Sequence, residues 1–473
     1  MMAISILQTV SLRFGSDTVG SYGDRPAPRL GVLGRIVLVT IAFPGRRPDN
    51  GVPAGPLSVC FGIRSRGRRR SRAAVGRLVA GRARRAGLVA RLCLAAPLAG
   101  LALPSYSYSA SADQGAVHFL RSADSAFDRY TKRMDRSNGA FLRRHMWRMV
   151  VYSPYFDNKT RWYPNGWVYD DAYAIYRGSR IAARHPEWIL RDSQGRPLYI
   201  PFACSHGTCT QYAGDISNPA FRRHWIAEAR SYLRHGYRGL YVDDVNMEFR
   251  VGNGQEEQVA PIDPATRRPM TYQAWRSYMA RFMEQIRAAL PHEEIVHNVI
   301  WFADSPALAA DPYIRREIKA ANYINLERGV NDSGLTGGSG RYSLARFLSY
   351  IDVVHALGEG VILQGNATDR RGSEYSLASY FLISTGKDAV STAGMTPVHW
   401  WSAFDLNLGK ALGPRRKWSG VMRRDFTGGM SLVNEPEGRP RTVKLPTTMR
   451  DLDGRNVKSV TLAPASGVVL RRP

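Results

Sequence analysis

Cysteine is scarce in this chain, acids are outnumbered by bases, and apolar runs are short. Only four of the 473 residues are cysteine: Cys60, Cys93, Cys204 and Cys209. Cys204 and Cys209 stand in one polar loop with His206 between them, too few ligands to complete a structural zinc site. The pair reads as a local disulfide of an exported protein or, less specifically, as two free thiols. No H-x-H motif follows a strand, which disfavours a metal-dependent hydrolase built on Asp243, Asp244 and His297. The apolar stretch at 92–103 falls short of the roughly 20 residues that a membrane span needs, so no stable span is expected. Asp and Glu number 39 against 66 Lys and Arg, a net charge of +27. Residues 1–112 hold 17 Arg, no Lys and 3 Asp, a net +14 that leaves +13 for the rest of the chain. With the excess divided in this way and no nucleic-acid motif in the remainder, nucleic acid is not an expected partner.

What is present divides into segments. Residues 1–81 are rich in Gly, Pro and Arg, with a dense basic run at 64–72. They read as a disordered basic tail or as translated sequence upstream of the true start. Residues 82–112 have the form of a signal peptide. Arg82, Arg84, Arg85 and Arg91 flank the apolar run, and Ser109-Ala-Ser-Ala112 supplies small residues for cleavage. A membrane anchor or a buried helix is the competing reading. The expected location is secreted, periplasmic or at the cell surface. Residues 113–139 are expected to be a linker.

From 140 to 410, strand and helix patterns alternate. The organising stretch is Gly239-Leu-Tyr-Val-Asp-Asp-Val-Asn246, a short apolar strand that ends in two acids. An amphipathic helix over 218–235 precedes it, with Asn218 as cap and Pro219 in its first turn. Strands are expected at 146–152, 294–301, 321–329 and 360–366, and helices at 272–290, 344–357 and 377–384. This order predicts an α/β fold, a (β/α)8 TIM barrel. Residues 411–473 carry short alternating runs at 429–434, 441–445, 458–462 and 467–470, separated by turn residues. They predict a small C-terminal antiparallel β-domain.

In such a barrel the C-terminal ends of the strands hold the chemistry. Asp243, Asp244 and Glu327 all fall there. Two carboxyl groups across one pocket are what cleavage of a glycosidic bond requires. Asp243 shares the strand face of Tyr241 and is the candidate nucleophile or base; Glu327 is the candidate acid. Which of Asp243 and Asp244 is catalytic stays open, with Asp244 otherwise a substrate contact. Blander roles exist: an Asp pair capping a turn, and Glu327 paired with Arg328. Asn298, Trp301, Gln364, Asn366 and Tyr152 sit at strand exits, where they are expected to bond sugar hydroxyls or stack on a ring. Trp400 and Trp401 fit either stacking on sugar or core packing. His297 is expected to point away from its neighbour Asn298, into packing. The expected partner is a poly- or oligosaccharide, with no cofactor and no metal, acted on by a monomer. A catalytically silent carbohydrate-binding barrel is the alternative.

The strand motif at 239–246, together with Trp188-Ile-Leu-Arg-Asp-x-x-Gly195, Asp215-Ile-Ser-Asn-Pro219 with Trp225, and Asn325-Leu-Glu-Arg-Gly329, resembles the hypothetical glycosyl hydrolase 15-like family of TIM-barrel proteins. The strand-Asp pattern is similar, more distantly, to alpha-amylase-like and endo-alpha-galactosaminidase-like barrels. The resemblance covers roughly residues 140–470. It implies a glycosidase reaction class, with the catalytic role on Asp243 and the partner acid on Glu327, and does not specify a substrate.

Overall fold

Eight short strands, each with one face turned inward, close into a ring. The computed structural model describes residues 114–473 except 123–124, 134, 206–207, 256–257, 302–309, 328, 332–334, 366 and 393. The expected extension (1–81) and signal peptide (82–112) lie outside the described residues. Strand β1 (Phe119–Ser122) is followed by helices α1 (Ser125–Lys132) and α2 (Arg136–His145), then β2 (Arg148–Val151) and β3 (Gly166–Asp171). An insertion after β3 holds β4 (Ala174–Tyr176), α3 (Arg180–Arg184), β5 (Cys204–Ser205), β6 (Thr208–Cys209) and β7 (Gln211–Ala213). Then come α4 (Pro219–Leu233), β8 (Gly239–Asp243), α5 (Tyr272–Ala289), β9 (Glu294–Ile300), α6 (Pro312–Ala320) and β10 (Tyr323–Glu327). The barrel ends with α7 (Leu344–Ala356), β11 (Gly360–Gly365), α8 (Arg370–Ile383) and β12 (Ala389–Thr392). The strands close in the order β1-β12-β11-β10-β9-β8-β3-β2, and every pairing is parallel. This is the expected TIM barrel.

The expected linker is corrected. Residues 119–122 are the first barrel strand, one strand before the stretch expected to open the sheet, and α1 and the first turn of α2 follow within 113–139. Phe119-Leu-Arg-Ser is too short to show a strand period, and its charged Arg121 is buried, donating from Nε to the Met395 carbonyl at 3.2 Å. Neighbouring strands fix this segment, since its own pattern is weak.

Local chemistry sets the helix starts. The Asn218 side chain accepts from Ala220 N at 2.9 Å ahead of Pro219, and Thr271 accepts from Ala274 N at 3.1 Å at the head of α5. Inside the ring, Leu120, Val150, Trp167, Tyr241, Val296, Tyr323, Ile362 and Ala389 pack as one cluster. They fill the barrel below its mouth, so the ring is a packed core and not a channel. Gly239 opens β8 because a side chain there has no room: a Cβ would lie 1.9 Å from the Glu294 carbonyl oxygen.

The C-terminal segment forms one antiparallel sheet of β13 (Arg416–Trp418), β14 (Val421–Phe426), β15 (Gly429–Asn434), β16 (Arg441–Arg450), β17 (Asn456–Leu462) and β18 (Ser466–Arg471). It packs on α8, whose residues 375–383 are all buried. Ser431 Oγ donates to the Ala378 carbonyl at 2.6 Å. Buried Arg424 donates to the carbonyls of Phe381 and Ser384 at 3.1 and 2.7 Å, neutralising the carbonyl-rich end of the helix.

At the opposite end of the barrel from the mouth, one acid ties three strands. Glu294 accepts from both Arg148 Nε and Nη2 at 2.8 Å, from Trp167 Nε1 at 2.8 Å and from Arg238 Nε at 3.1 Å. Burial works to raise its pKa, but the Arg148 bonds outweigh it and the net shift is downward. A depressed carboxyl pKa contributes stability above the ordinary Glu value of 4.5, lost as pH falls through the folded value. Glu294→Gln is therefore expected to destabilise the protein by about 3 kcal/mol at pH 7, because a partly buried Arg148 loses its counter-charge. The deficit should shrink toward pH 3 in denaturant titrations; a loss that is the same at both pH values would refute this account.

Candidate active site

Strand alternation delivers the site. On β8, Tyr241 faces the barrel interior, and Asp243, two residues on, faces the same way at the mouth. Three donors hold its carboxyl. Tyr169 OH donates to Oδ2 at 2.6 Å, and Asn298 Nδ2 and Asp244 N donate to Oδ1 at 2.6 and 2.8 Å. Glu327 closes β10, and its Oε1 accepts from the same Asn298 Nδ2 at 2.8 Å. One nitrogen thus touches both acids, although they lie on strands separated by β9. The two oxygens can be no farther apart than the sum of those two contacts. The two carboxyls thus share one donor at the barrel mouth.

The amide chain continues around the ring. Asn325 Nδ2 donates to Asn298 Oδ1 at 2.6 Å and to Gln364 Oε1 at 2.7 Å. Asn298 and Asn325 are 5 % and 1 % exposed, so water cannot substitute for these bonds. Tyr152 packs tilted against Tyr169 at 5.1 Å, and Tyr169 stacks on Tyr241 at 6.2 Å. Burial, with Asp243 and Asp171 adding to it, pushes the Tyr169 hydroxyl well above its ordinary range, so it stays a neutral donor.

Two further acids crowd the mouth. Asp171 ends β3 and is buried; its Oδ1 accepts from Tyr173 N and Ala174 N at 2.8 Å. Asp244 adopts a left-handed backbone, φ 54°, and its Oδ1 accepts from Asn246 Nδ2 at 2.9 Å. Burial pushes both carboxyls well above the carboxylate range. Asp243 adds to the shift at Asp171; Asp171, Asp243 and Glu327 add to it at Asp244, with Arg250 opposing.

The other predicted residues divide. Asn298 and Gln364 join the network; Asn366 and Arg328 lie outside the described residues. Trp301 is corrected: it is 1 % exposed and packs edge-on to Phe347 at 5.2 Å and Tyr342 at 5.6 Å, so it offers no face to a sugar. Trp301 has the parity of Ile295 and Val299, which face the helices, and not that of the inward Val296 and Asn298. Trp400 packs on Phe119 and donates to Asp405, and Arg370 lies 4.3 Å over the ring of Trp401. His297 points into packing as expected, its Nδ1 2.7 Å from Glu317 Oε1, so it does not join Asp243 and Asp244 as a ligand set. Cys204 and Cys209 form a disulfide across the β5–β6 hairpin. Tyr169, Asp171 and Asn325 were not anticipated. The signal was available: Trp167, Tyr169 and Asp171 share one face of β3, and Tyr323, Asn325 and Glu327 share one face of β10.

The hypothetical glycosyl hydrolase family 15 matches residues 148–430. The chain belongs to that family. Among solved structures, the glycoside hydrolase domain of PelA from Pseudomonas aeruginosa is similar at 16 % identity, over 62 % of this chain and 97 % of that one, with a TM-score of 0.34. A GH27 β-L-arabinopyranosidase from Geobacillus stearothermophilus is similar at 11 % identity, over 76 % and 97 %, with a TM-score of 0.43. The GH31 dextranase of Flavobacterium johnsoniae is similar at 10 % identity, over 77 % of this chain and 52 % of its own, with a TM-score of 0.41. Likeness at this level carries nothing about substrate or mechanism. No curated protein matches the chain.

The elevated pKa of Asp244 has a measurable consequence. A carboxyl raised in the folded state stabilises the fold fully below the ordinary Asp value of 3.8, and that contribution is lost as pH rises through the folded value. Asp244→Asn keeps the acceptor oxygen and suits a left-handed backbone. It is expected to raise the melting temperature at pH 7, with the gain vanishing near pH 3. A variant that melts below the parent at pH 7 would contradict the assigned shift.

Proposed function

We propose that the protein is an exported glycoside hydrolase. It cleaves an O-glycosidic bond of a poly- or oligosaccharide with Asp243 as nucleophile and Glu327 as acid and base. The supporting observation is the single Asn298 nitrogen bonded to both carboxyls. The implied upper limit on their oxygen spacing agrees with the about 5–5.5 Å of retaining enzymes and falls short of the about 6.5–9.5 Å of inverting ones. Asp243 is preferred over Asp244 because its oxygens are fixed by Tyr169 and Asn298, while Asp244 is suited to meet a sugar hydroxyl as a proton-holding group.

In this reading Glu327 gives its proton to the leaving glycosidic oxygen as Asp243 attacks the anomeric carbon. A covalent glycosyl ester forms and the aglycone departs. Glu327, now ionised, takes a proton from water, whose oxygen displaces Asp243, restoring both acids. Tyr152 lies beside Tyr169 as a flat face for a ring. Export is supported by the signal-like segment at 82–112 and by the disulfide, a bond of oxidising compartments. Among the described residues no helix is long and apolar enough to cross a membrane.

A panel of polysaccharides identifies the substrate. On it, Asp243→Asn and Glu327→Gln are each expected to lower kcat by about 10²–10⁴-fold with the fold intact. NMR of the first-formed sugar should show the anomeric configuration retained. Inversion would exclude Asp243 as a nucleophile. Binding without turnover across the panel would favour a carbohydrate-binding barrel.

A further inference from the structure

An amide has two ends of nearly one shape and opposite chemistry, and Asn298 sits where the choice of end matters. Its nitrogen lies 2.6 Å from Asp243 Oδ1 and 2.8 Å from Glu327 Oε1. Rotated by half a turn, it would set an oxygen against both carboxyls at the same distances. A buried donor would become a buried repulsion. Something must forbid that rotation, and the acids alone do so only while both are ionised. Protonated Glu327 would welcome an acceptor, so the rotation is least opposed at the proton-bearing stage of the reaction.

We infer that Asn325 is a positioning residue that locks Asn298 with its nitrogen toward the two acids. The inference rests on the reading of Asp243 and Glu327 as the reacting pair. Asn325 is in register with Asn298 across β9 and β10. Its Nδ2 has two hydrogens, and both are committed to amide oxygens: Asn298 Oδ1 at 2.6 Å and Gln364 Oε1 at 2.7 Å. Reversing Asn325 would break both bonds at once. The donors therefore run in one order: Gln364 accepts from Asn325, Asn325 presents nitrogen to Asn298, and Asn298 presents nitrogen to the acids. At 1 % exposure no water can take over for Asn325. Its effect on chemistry passes through Asn298.

Asn325→Leu tests this, because leucine cannot donate in any protonation state. With Asn298 free to rotate, kcat/KM is expected to fall about a hundredfold, the loss typical of a preorganised donor. The loss should lie in kcat, with KM little changed. The acidic limb of the kcat/KM profile should move to higher pH as the acids lose a donor that favours their ionised forms. A folded variant with the parental rate and pH profile overturns the inference, provided Asp243→Asn and Glu327→Gln are inactive. If those two retain activity, the two-carboxylate reading itself is what fails. Neutron diffraction on the deuterated parent protein needs no variant to fold: it resolves which end of Asn298 carries deuterium. Nitrogen facing Asp243 and Glu327 is the expected result, and oxygen facing them overturns the inference.

Discussion

Negative charge gathered in a low-dielectric mouth is the constraint on which the upper half of this molecule depends. Asp171, Asp243, Asp244 and Glu327 come from three strand ends; Asp243 helps raise the pKa of Asp171, and Asp171, Asp243 and Glu327 help raise that of Asp244. Such a cluster persists only if some members keep their protons and the others are given donors. Both devices are present. Burial pushes the pKa values of Asp171 and Asp244 well above the ordinary range, while Tyr169, Asn298 and a backbone N–H supply Asp243. The donors bonded to Asp243 are neutral, which is the chemically telling part. An arginine there would hold a carboxylate equally well but would neutralise it; neutral donors leave the charge that the nucleophile role proposed for Asp243 requires.

The far end of the barrel solves the same problem in the opposite way. Glu294 is met by two guanidinium groups and an indole N–H. Its charge is neutralised and serves to join β2, β3 and β9. The same residue type is thus structural where cations surround it and poised for chemistry where only neutral dipoles do. This contrast separates a stability acid from a reactive one more sharply than burial does.

The sequence shows the barrel because its buried strands are continuous apolar runs that alternate with capped helices. Asp243 and Glu327 were legible for a further reason: each ends a strand whose inward face is marked by a tyrosine two or four residues earlier. β1 was not legible, since four residues with an arginine among them carry no period. Trp301 was misassigned because it was placed by its nearness to the strand end and not by alternation, which sets it with Ile295 and Val299 on the outer face, against Phe347 of α7. The amide relay was hidden because hydrogen-bond direction is a property of neighbours across strands, which a linear pattern does not contain.

Asp244 shows how these layers combine. A non-glycine residue at φ 54° is strained and holds only if its surroundings over-determine it. Val245 N donates to the Asn298 carbonyl at 3.0 Å, and Ile300 N donates to Asn246 Oδ1 at 2.9 Å. Trp275 Nε1, from within α5, donates to the Asn246 carbonyl at 2.8 Å. Three bonds to two different elements therefore clamp the turn just after Asp243. The turn that strains Asp244 also aims its N–H at Asp243 Oδ1, so the strained backbone and the orientation of the Asp243 carboxyl are one feature. Relaxing the strain would release a donor from Asp243.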